Sequence, residues 1–379
     1  MFTIKTMNAI SPVGLAKLPK NLFEVDADTD TPDGILVRSA DLLNTTFPEN
    51  LLAIARAGAG VNNIPLDRAA DAGIVVFNAP GANANGVKEL TIAALLLASR
   101  KISQGITWVK EQSAAGADVA AVVEKGKAAY VGPEIMGKTL GVVGLGAIGV
   151  LVANAAAALG MKIVGYDPFL SVTHALNLTP GVEVVDTLPE LYAKADYISL
   201  HLPMNDATRG TLNEAAFAAM KDGVRIVNLA RGELVDTPAL KAALDSGKCA
   251  AYVTDFPNSE TAAMEGVVAI PHLGASTPES EDNCAMMAAR EVKEYLDNGS
   301  IINSVNLPNL TMAWAAKTRV CVISKGADAA AIAGAVPAVA SASNTRGEYA
   351  YTILDTDAAV DEAAIAAIPG VLRVRVLTR

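Results

Sequence analysis

The stretch TLGVVGLGAIGVLVANAAAALGMKIVGYDP, residues 139 to 168, constrains the fold more than any other. An apolar run leads into a turn carrying Gly144, Gly146 and Gly149. An alanine-rich helical run follows, and a second apolar run ends at Asp167. Strand, glycine turn, helix and strand in that order form a βαβ unit, and a G-x-G-x-x-G turn in that setting cradles a dinucleotide. The first glycine permits the tight turn, the second lets the backbone approach a pyrophosphate, and the third allows close packing of helix on strand. The N–H groups at the start of the helix then face the phosphates. The residues expected at the coenzyme are Gly144, Gly146, Ala147, Ile148, Gly149 and Asp167. An acidic residue at the end of the second strand accepts hydrogen bonds from the ribose hydroxyls and repels a 2′-phosphate. Asp167 therefore predicts NAD rather than NADP.

Further apolar runs follow, each ending in a polar cluster: ADYISLHLP, GVRIVNLAR, CAAYVTDF and GVVAIPHLG. The first 85 residues or so repeat the pattern with FTIKTM, DGILVRSA and AGIVVFNAPG. Such runs predict buried parallel strands covered on both faces, with ligands at their carboxyl ends. One long helix is expected from about residue 88, then a polar connector, GADVAAVVEKGKAAYVGPEIMGK, and a second long helix from about 275 to 298. The tail reads β-α-β-α-β, with TRVCVIS, EYAYTILD and VLRVRVLT as strands, close to a small ferredoxin-like module.

Charge narrows the function. With 30 basic and 40 acidic residues the net charge is -10, which argues against a nucleic-acid groove. An anionic substrate would need arginines of its own, because the overall field repels it. Cys249, Cys284 and Cys321 are odd in number and far apart, and they predict reduced thiols in a cytoplasmic chain. The N-terminus lacks the pattern of a signal peptide, and no run approaches a membrane span. No metal site is expected.

The candidate chemistry lies after three of the buried runs. Arg231 sits in VNLARGELVD, Glu260 in TDFPNSE and His272 in IPHLG. Moving a hydride from a hydroxyl-bearing carbon to a nicotinamide requires that the hydroxyl proton leave too. Imidazole titrates near neutrality, so His272 can take it. A carboxylate at Glu260 would orient the ring and favour its protonated form. Glu265 is the alternative acid. Arg231 can hold a substrate carboxylate with two parallel hydrogen bonds, and Asp255 is expected to face the nicotinamide carboxamide. His201 is expected to pack near the coenzyme, and His174 lies on the surface.

These residues resemble the D-isomer-specific 2-hydroxyacid dehydrogenase family over about residues 35 to 306. The resemblance rests on GLGAIG with GYDP, ADYISLHLP, NLARGELVD, AALDSGKCAAYVTDF and PHLGAST. ILVRSA, RAGAGVNNI and FNAPGANANGVKELT point to the branch acting on 3-phospho-D-glycerate. That implies NAD-dependent oxidation to 3-phosphohydroxypyruvate, the opening step of serine synthesis. It also implies an α/β fold of two Rossmann-like parallel-sheet domains plus a small α+β ferredoxin-like module of the ACT type. The implied boundaries are 1–86 with 275–304 for the substrate domain, 87–274 for the NAD-binding domain, 305–316 for a linker and 317–379 for the tail. Arg231, Glu260 and His272 match the family's catalytic trio. Arg38 and Ser39 match the segment that meets the substrate phosphate, Arg56, Ala59 and Gly60 the loop beside the substrate carboxylate, and Asn83 a substrate-facing asparagine.

The chain departs from the family where D-V-F-x-x-E-P is written D-F-P-N-S-E-T, and where Ala147 replaces a common arginine. The tail has SKGADAAAIAG in place of an N-x-P-G-V-L loop. It is therefore expected to serve assembly, and L-serine as an effector stays an open alternative. A homodimer or homotetramer is implied. Two other readings remain open: a hydroxypyruvate or glyoxylate reductase of the same family, and a non-catalytic NAD-sensing corepressor.

Overall fold

Parallel strands arise where apolar runs too short to bury themselves as helices alternate with helices that cover them. In this computed structural model, which describes residues 1–379, seven such strands form one sheet. In spatial order they are Val267–Ala269, Cys249–Thr254, Val224–Asn228, Tyr197–Leu200, Thr139–Val143, Lys162–Tyr166 and Glu183–Val184. Every neighbouring pair is parallel. Chain order reverses between Thr139–Val143 and Tyr197–Leu200, which pair directly. Such a switch point opens a crevice at the carboxyl ends of the strands. This sheet and its helices make up one compact unit, Ala84–Thr277.

The helix expected from residue 88 is two helices, Ala84–Ser99 and Ile102–Ala114, interrupted at Arg100 and Lys101. Only the first buries a face, with Ala94 and Leu95 fully inside. The expected connector contains a further helix, Val119–Gly126, capped by Asp118. Neither Ile102–Ala114 nor Val119–Gly126 has a buried residue, and Ile106 and Val109 are exposed.

The second unit comprises Met1–Asn83 and Pro278–Arg379. Five parallel strands run in the order Phe23–Val25, Phe2–Met7, Gly34–Val37, Ala53–Arg56 and Val75–Phe77. The helix Pro278–Asn298 packs across them, with Val292, Tyr295 and Leu296 completely buried. It starts at Pro278, three residues later than about 275, because proline is pre-set for the first helical position.

Residues 317–379 form the small C-terminal antiparallel sheet that the sequence predicts, and one face of it shares the core of this same unit. They also hold one strand more than expected. Ala340–Arg346 pairs antiparallel with Tyr349–Thr356, completing a four-stranded sheet with Thr318–Lys325 and Val371–Thr378. The extra strand, ASASNTR, lies at the sheet edge with most residues exposed, so it lacks the apolar alternation that reveals a half-buried strand. Alternation in Thr318–Lys325 serves two cores. Val320 and Val322 face the tail's own helices, while Cys321 and Ile323 join Tyr295 and Leu296.

Polar groups of the tail close the end of Pro278–Asn298, where the last carbonyls of a helix lack partners. Arg375 donates to the Tyr295 and Leu296 carbonyls at 2.9 and 2.7 Å. Arg319 donates to that of Asn298 at 2.9 Å, and the Tyr351 hydroxyl to that of Gly299 at 2.6 Å. Arg319 is itself buried in a two-point ion pair with Asp355, at 2.7 and 2.9 Å. Removing one partner of such a pair costs about 3–5 kcal/mol.

Glu291, on the same helix, is only 4% exposed. Asn303 donates to its Oε1 at 2.7 Å, and its Oε2 has no partner. Burial pushes its carboxyl up to about 8 from 4.5. Between those values the folded chain holds a proton that the unfolded chain has lost, so stability falls as pH rises across that window. Glu291→Gln is expected to melt with the parent near about pH 5 and several degrees above it near about pH 8.5. Thermal unfolding at the two pH values checks this; a parallel pH dependence in both proteins would rule it out.

Candidate active site

The carboxyl end of Thr139–Val143 delivers the glycine turn. Gly144 has φ +95, and a side chain there would press on the His201 carbonyl at 2.6 Å. A Cβ on Gly149 would stand 1.9 Å from the Gly144 carbonyl oxygen, so no other residue fits while the turn keeps its shape. A Cβ on Gly146 would meet nothing within 4 Å. The chain leaves open space where the helix Ala147–Ala158 begins, and no side chain caps that start. Ala147 is exposed there, and Ile148 packs half-buried against the core behind it. Asp167 accepts from the Leu145 N–H at 2.9 Å and from the Phe169 N–H at 2.8 Å, which fixes its carboxylate beside the turn.

The next strand ends carry the candidate chemistry. Arg231 follows Val224–Asn228 and is held by Asn228, which is fully buried. The Asn228 side chain accepts from the Arg231 N–H at 3.3 Å and donates to the Arg231 carbonyl at 2.8 Å and the Tyr252 hydroxyl at 3.0 Å. The Arg231 guanidinium lies 5.1 Å from the centre of the Phe256 ring. The His272 ring packs against the same phenyl, centroids 4.4 Å apart. Arg231 and His272 thus share one aromatic support, a favourable setting for a cation. Sequence reasoning missed both Asn228 and Phe256. A buried asparagine at a strand end and an aromatic next to Asp255 were the available signals.

Asp255 is 1% exposed. The Gly274 N–H donates to its Oδ2 at 2.9 Å, tying the His272 loop to the end of Cys249–Thr254. Burial pushes its carboxyl up. The Gly274 N–H and the nearby His272 and Arg231 offset this only in part. Its Oδ1 is buried with no partner. A buried carboxylate oxygen left unpaired is costly, and a donor such as a carboxamide N–H would satisfy it. This orphan oxygen, the open space at Gly146 and the uncapped helix start fit an NAD molecule.

Glu260 is not brought to His272. Its side chain is exposed, it makes no ion pair or hydrogen bond with the imidazole, and it starts the short turn Thr261–Ala263. Pro257 and the Asn258 side chain, which accepts from the Glu260 and Thr261 N–H groups at 3.0 and 2.8 Å, shape this loop. Glu265 is exposed as well. Asp255 is the carboxylate whose charge reaches both His272 and Arg231. His201 lies beside the glycine turn, its Nε2 2.9 Å from Ser199 Oγ. Burial pulls it down to about 4, so its imidazole is neutral near pH 7.

The remaining candidates belong to the other unit. Arg38 follows Gly34–Val37 and pairs with Glu281 at 2.6 Å. The Ser39 N–H donates to Asn8 at 3.0 Å. Arg56 spends Nε on the Arg38 carbonyl at 3.0 Å and Nη1 on that of Gly60. The Ala59 carbonyl accepts from Asn78 at 2.6 Å. The Asn83 side-chain oxygen is buried without a partner.

Residues 92–274 match the model of the D-isomer specific 2-hydroxyacid dehydrogenase NAD binding domain. The chain is 36% identical over 307 residues to the D-3-phosphoglycerate dehydrogenase of Rattus norvegicus, covering 78% of this chain and 55% of the rat protein. It therefore spans about half the length of such curated relatives. Among solved structures it is similar to NAD+-bound 3-phosphoglycerate dehydrogenase of Entamoeba histolytica. The TM-score is 0.63 at 27% identity, covering 82% of this chain and 99% of that one. It is also similar to a glyoxylate reductase from Paecilomyes thermophila, with a TM-score of 0.66 at 27% identity, covering 80% and 97%. No helix of the chain is long and apolar enough to cross a membrane.

Gly146→Ala is expected to fold with an unchanged melting temperature and to lose at least about tenfold in NAD affinity, because its methyl fills only the ligand's space. Gly149→Ala is expected to lose fold stability as well. Thermal unfolding and a fluorescence titration with NAD separate the two; tight NAD binding by Gly146→Ala would disprove the cradle.

Proposed function

We propose that the chain catalyses NAD-dependent oxidation of 3-phospho-D-glycerate to 3-phosphohydroxypyruvate, the first step of phosphorylated serine synthesis. The observation that carries this reading is the convergence of Arg231 and His272 on Phe256, with Asp255 buried behind them, in a unit that carries a dinucleotide turn. NAD, when bound, supplies the hydride acceptor. Arg231 uses one donor on the Ala230 carbonyl and keeps its others for the substrate carboxylate. His272 takes the hydroxyl proton as the carbon gives up its hydride. Asp255 stabilises the imidazolium so formed and, through Gly274, holds its loop in place. In the other unit, Arg38 and Arg56 are the cations proposed for the phosphate, and Ser39, Ala59, Gly60 and Asn83 are proposed as further substrate contacts. The family pattern assigns the acid role to Glu260, whose side chain is exposed here and makes no ion pair with His272.

A second reading, a reductase of hydroxypyruvate or glyoxylate, is favoured by one observation: Arg38 already has a carboxylate partner in Glu281. The exposed apolar residues Ile102, Ile106 and Val109 on the helix Ile102–Ala114 support a homodimer or homotetramer. An ACT-like assembly role for the tail and a cytoplasmic location complete the proposal.

The deciding assay is NAD reduction with 3-phospho-D-glycerate beside D-glycerate, each with and without L-serine. Turnover confined to the phosphorylated acid is expected. NAD binding without such turnover would remove the main assignment. His272→Ala is expected to lower kcat/KM by about 10²–10⁴-fold. Glu260→Gln is expected to cost at least an order of magnitude less, since its exposed carboxylate makes no ion pair or hydrogen bond with His272 or Arg231. Equal losses in the two variants would return the acid role to Glu260.

A further inference from the structure

We propose that Glu281 is a built-in competitor for Arg38, one that a substrate's anionic group must displace. It thereby sets how strongly the chain prefers a phosphorylated hydroxy acid over an unphosphorylated one. The inference rests on the reading of Arg38 as the phosphate anchor.

The ion pair joins two elements of one unit. Arg38 stands just beyond Gly34–Val37, and Glu281 in the first turn of Pro278–Asn298. Arg38 Nη2 donates to Glu281 Oε1 at 2.6 Å. The side chains are 39% and 42% exposed, so water and small anions reach both. Pairs of that exposure are weak and exchange their partners readily. The guanidinium of Arg38 makes no other hydrogen bond. Arg56 differs, because it is committed to the carbonyls of Arg38 and Gly60 and so braces the loop that follows its own strand.

Both guanidiniums are felt on the same face of the helix. Cys284, nearly one turn beyond Glu281, is pushed up chiefly by burial. Arg56 and Arg38 pull it down, and Glu281 pushes it up again. With Glu281 in place, the charge that Arg38 offers is already balanced. A phosphate approaching Arg38 meets a carboxylate first, in a chain of net charge -10. The neighbouring acid, Asp282, is occupied otherwise: it accepts from the Ser11 hydroxyl at 2.5 Å. Of this acidic pair, Glu281 alone addresses Arg38. An acid in a first helical turn also interacts favourably with the helix dipole, but that contribution would show in melting temperature and not in anion affinity.

The test uses the NAD-loaded full chain and its near-isosteric variant Glu281→Gln. Inorganic phosphate is titrated calorimetrically into each. The variant is expected to bind it about three- to tenfold more tightly, the effect of removing one competing charge at contact range in water. The ratio of kcat/KM for 3-phospho-D-glycerate over D-glycerate should rise by the same factor. In an Arg38→Gln background the substitution should bring no gain. Unchanged or weaker phosphate binding by Glu281→Gln overturns the proposal, as does a gain that persists without Arg38. If neither acid is turned over, the functional reading fails on its own, and the phosphate titration still decides the role of Glu281.

Discussion

The hydrogen bond from the Gly274 N–H to the buried Asp255 carboxylate holds the candidate site together. It joins the loop after one strand to the loop after the next, and so sets where His272 stands. Phe256, next in sequence to Asp255, then supports both His272 and Arg231. Gly274 suits the position because a Cβ there would approach Asp255 Oδ2 to 3.2 Å. Loops at strand ends have freedom that strands lack, and one buried, charge-assisted bond removes much of it. The remaining Asp255 oxygen is left without a partner inside the chain. A site assembled around an unsatisfied buried acceptor is primed for a ligand that brings a donor.

The tail illustrates a different use of charge. Arg319 and Arg375 are buried, yet neither contributes to the proposed chemistry. They spend their donors on the last carbonyls of Pro278–Asn298, and Arg319 adds its two-point pair with Asp355. Trp314 lies between Arg319 and Arg379, 4.4 and 4.5 Å from their guanidinium carbons. Residues 317–379 thus form part of the core that Pro278–Asn298 also fills, and the charges that bind them there are shielded from salt.

Much of the architecture was legible because it depends on local pattern. Apolar runs of strand length marked both parallel sheets, and the glycine spacing marked the turn between Thr139–Val143 and Ala147–Ala158. Errors came where the local signal was weak or misleading. Arg100 and Lys101 interrupt a pattern that reads as one helix, and Ala340–Arg346 is a strand without apolar alternation. Such an edge strand is held by pairing with a distant partner and not by its own preferences.

The sequence by itself determined the fold class, the coenzyme turn and the residue types available for chemistry, since these follow from spacing along the chain. Only the tertiary structure decided which charges meet. It buried Asp255 against the Gly274 N–H, where its carboxyl feels the charges of His272 and Arg231, left Glu260 exposed, and gave Arg38 the company of Glu281, 243 residues away. Electrostatic energy depends on distance through space and on burial, and neither can be read from position in a sequence.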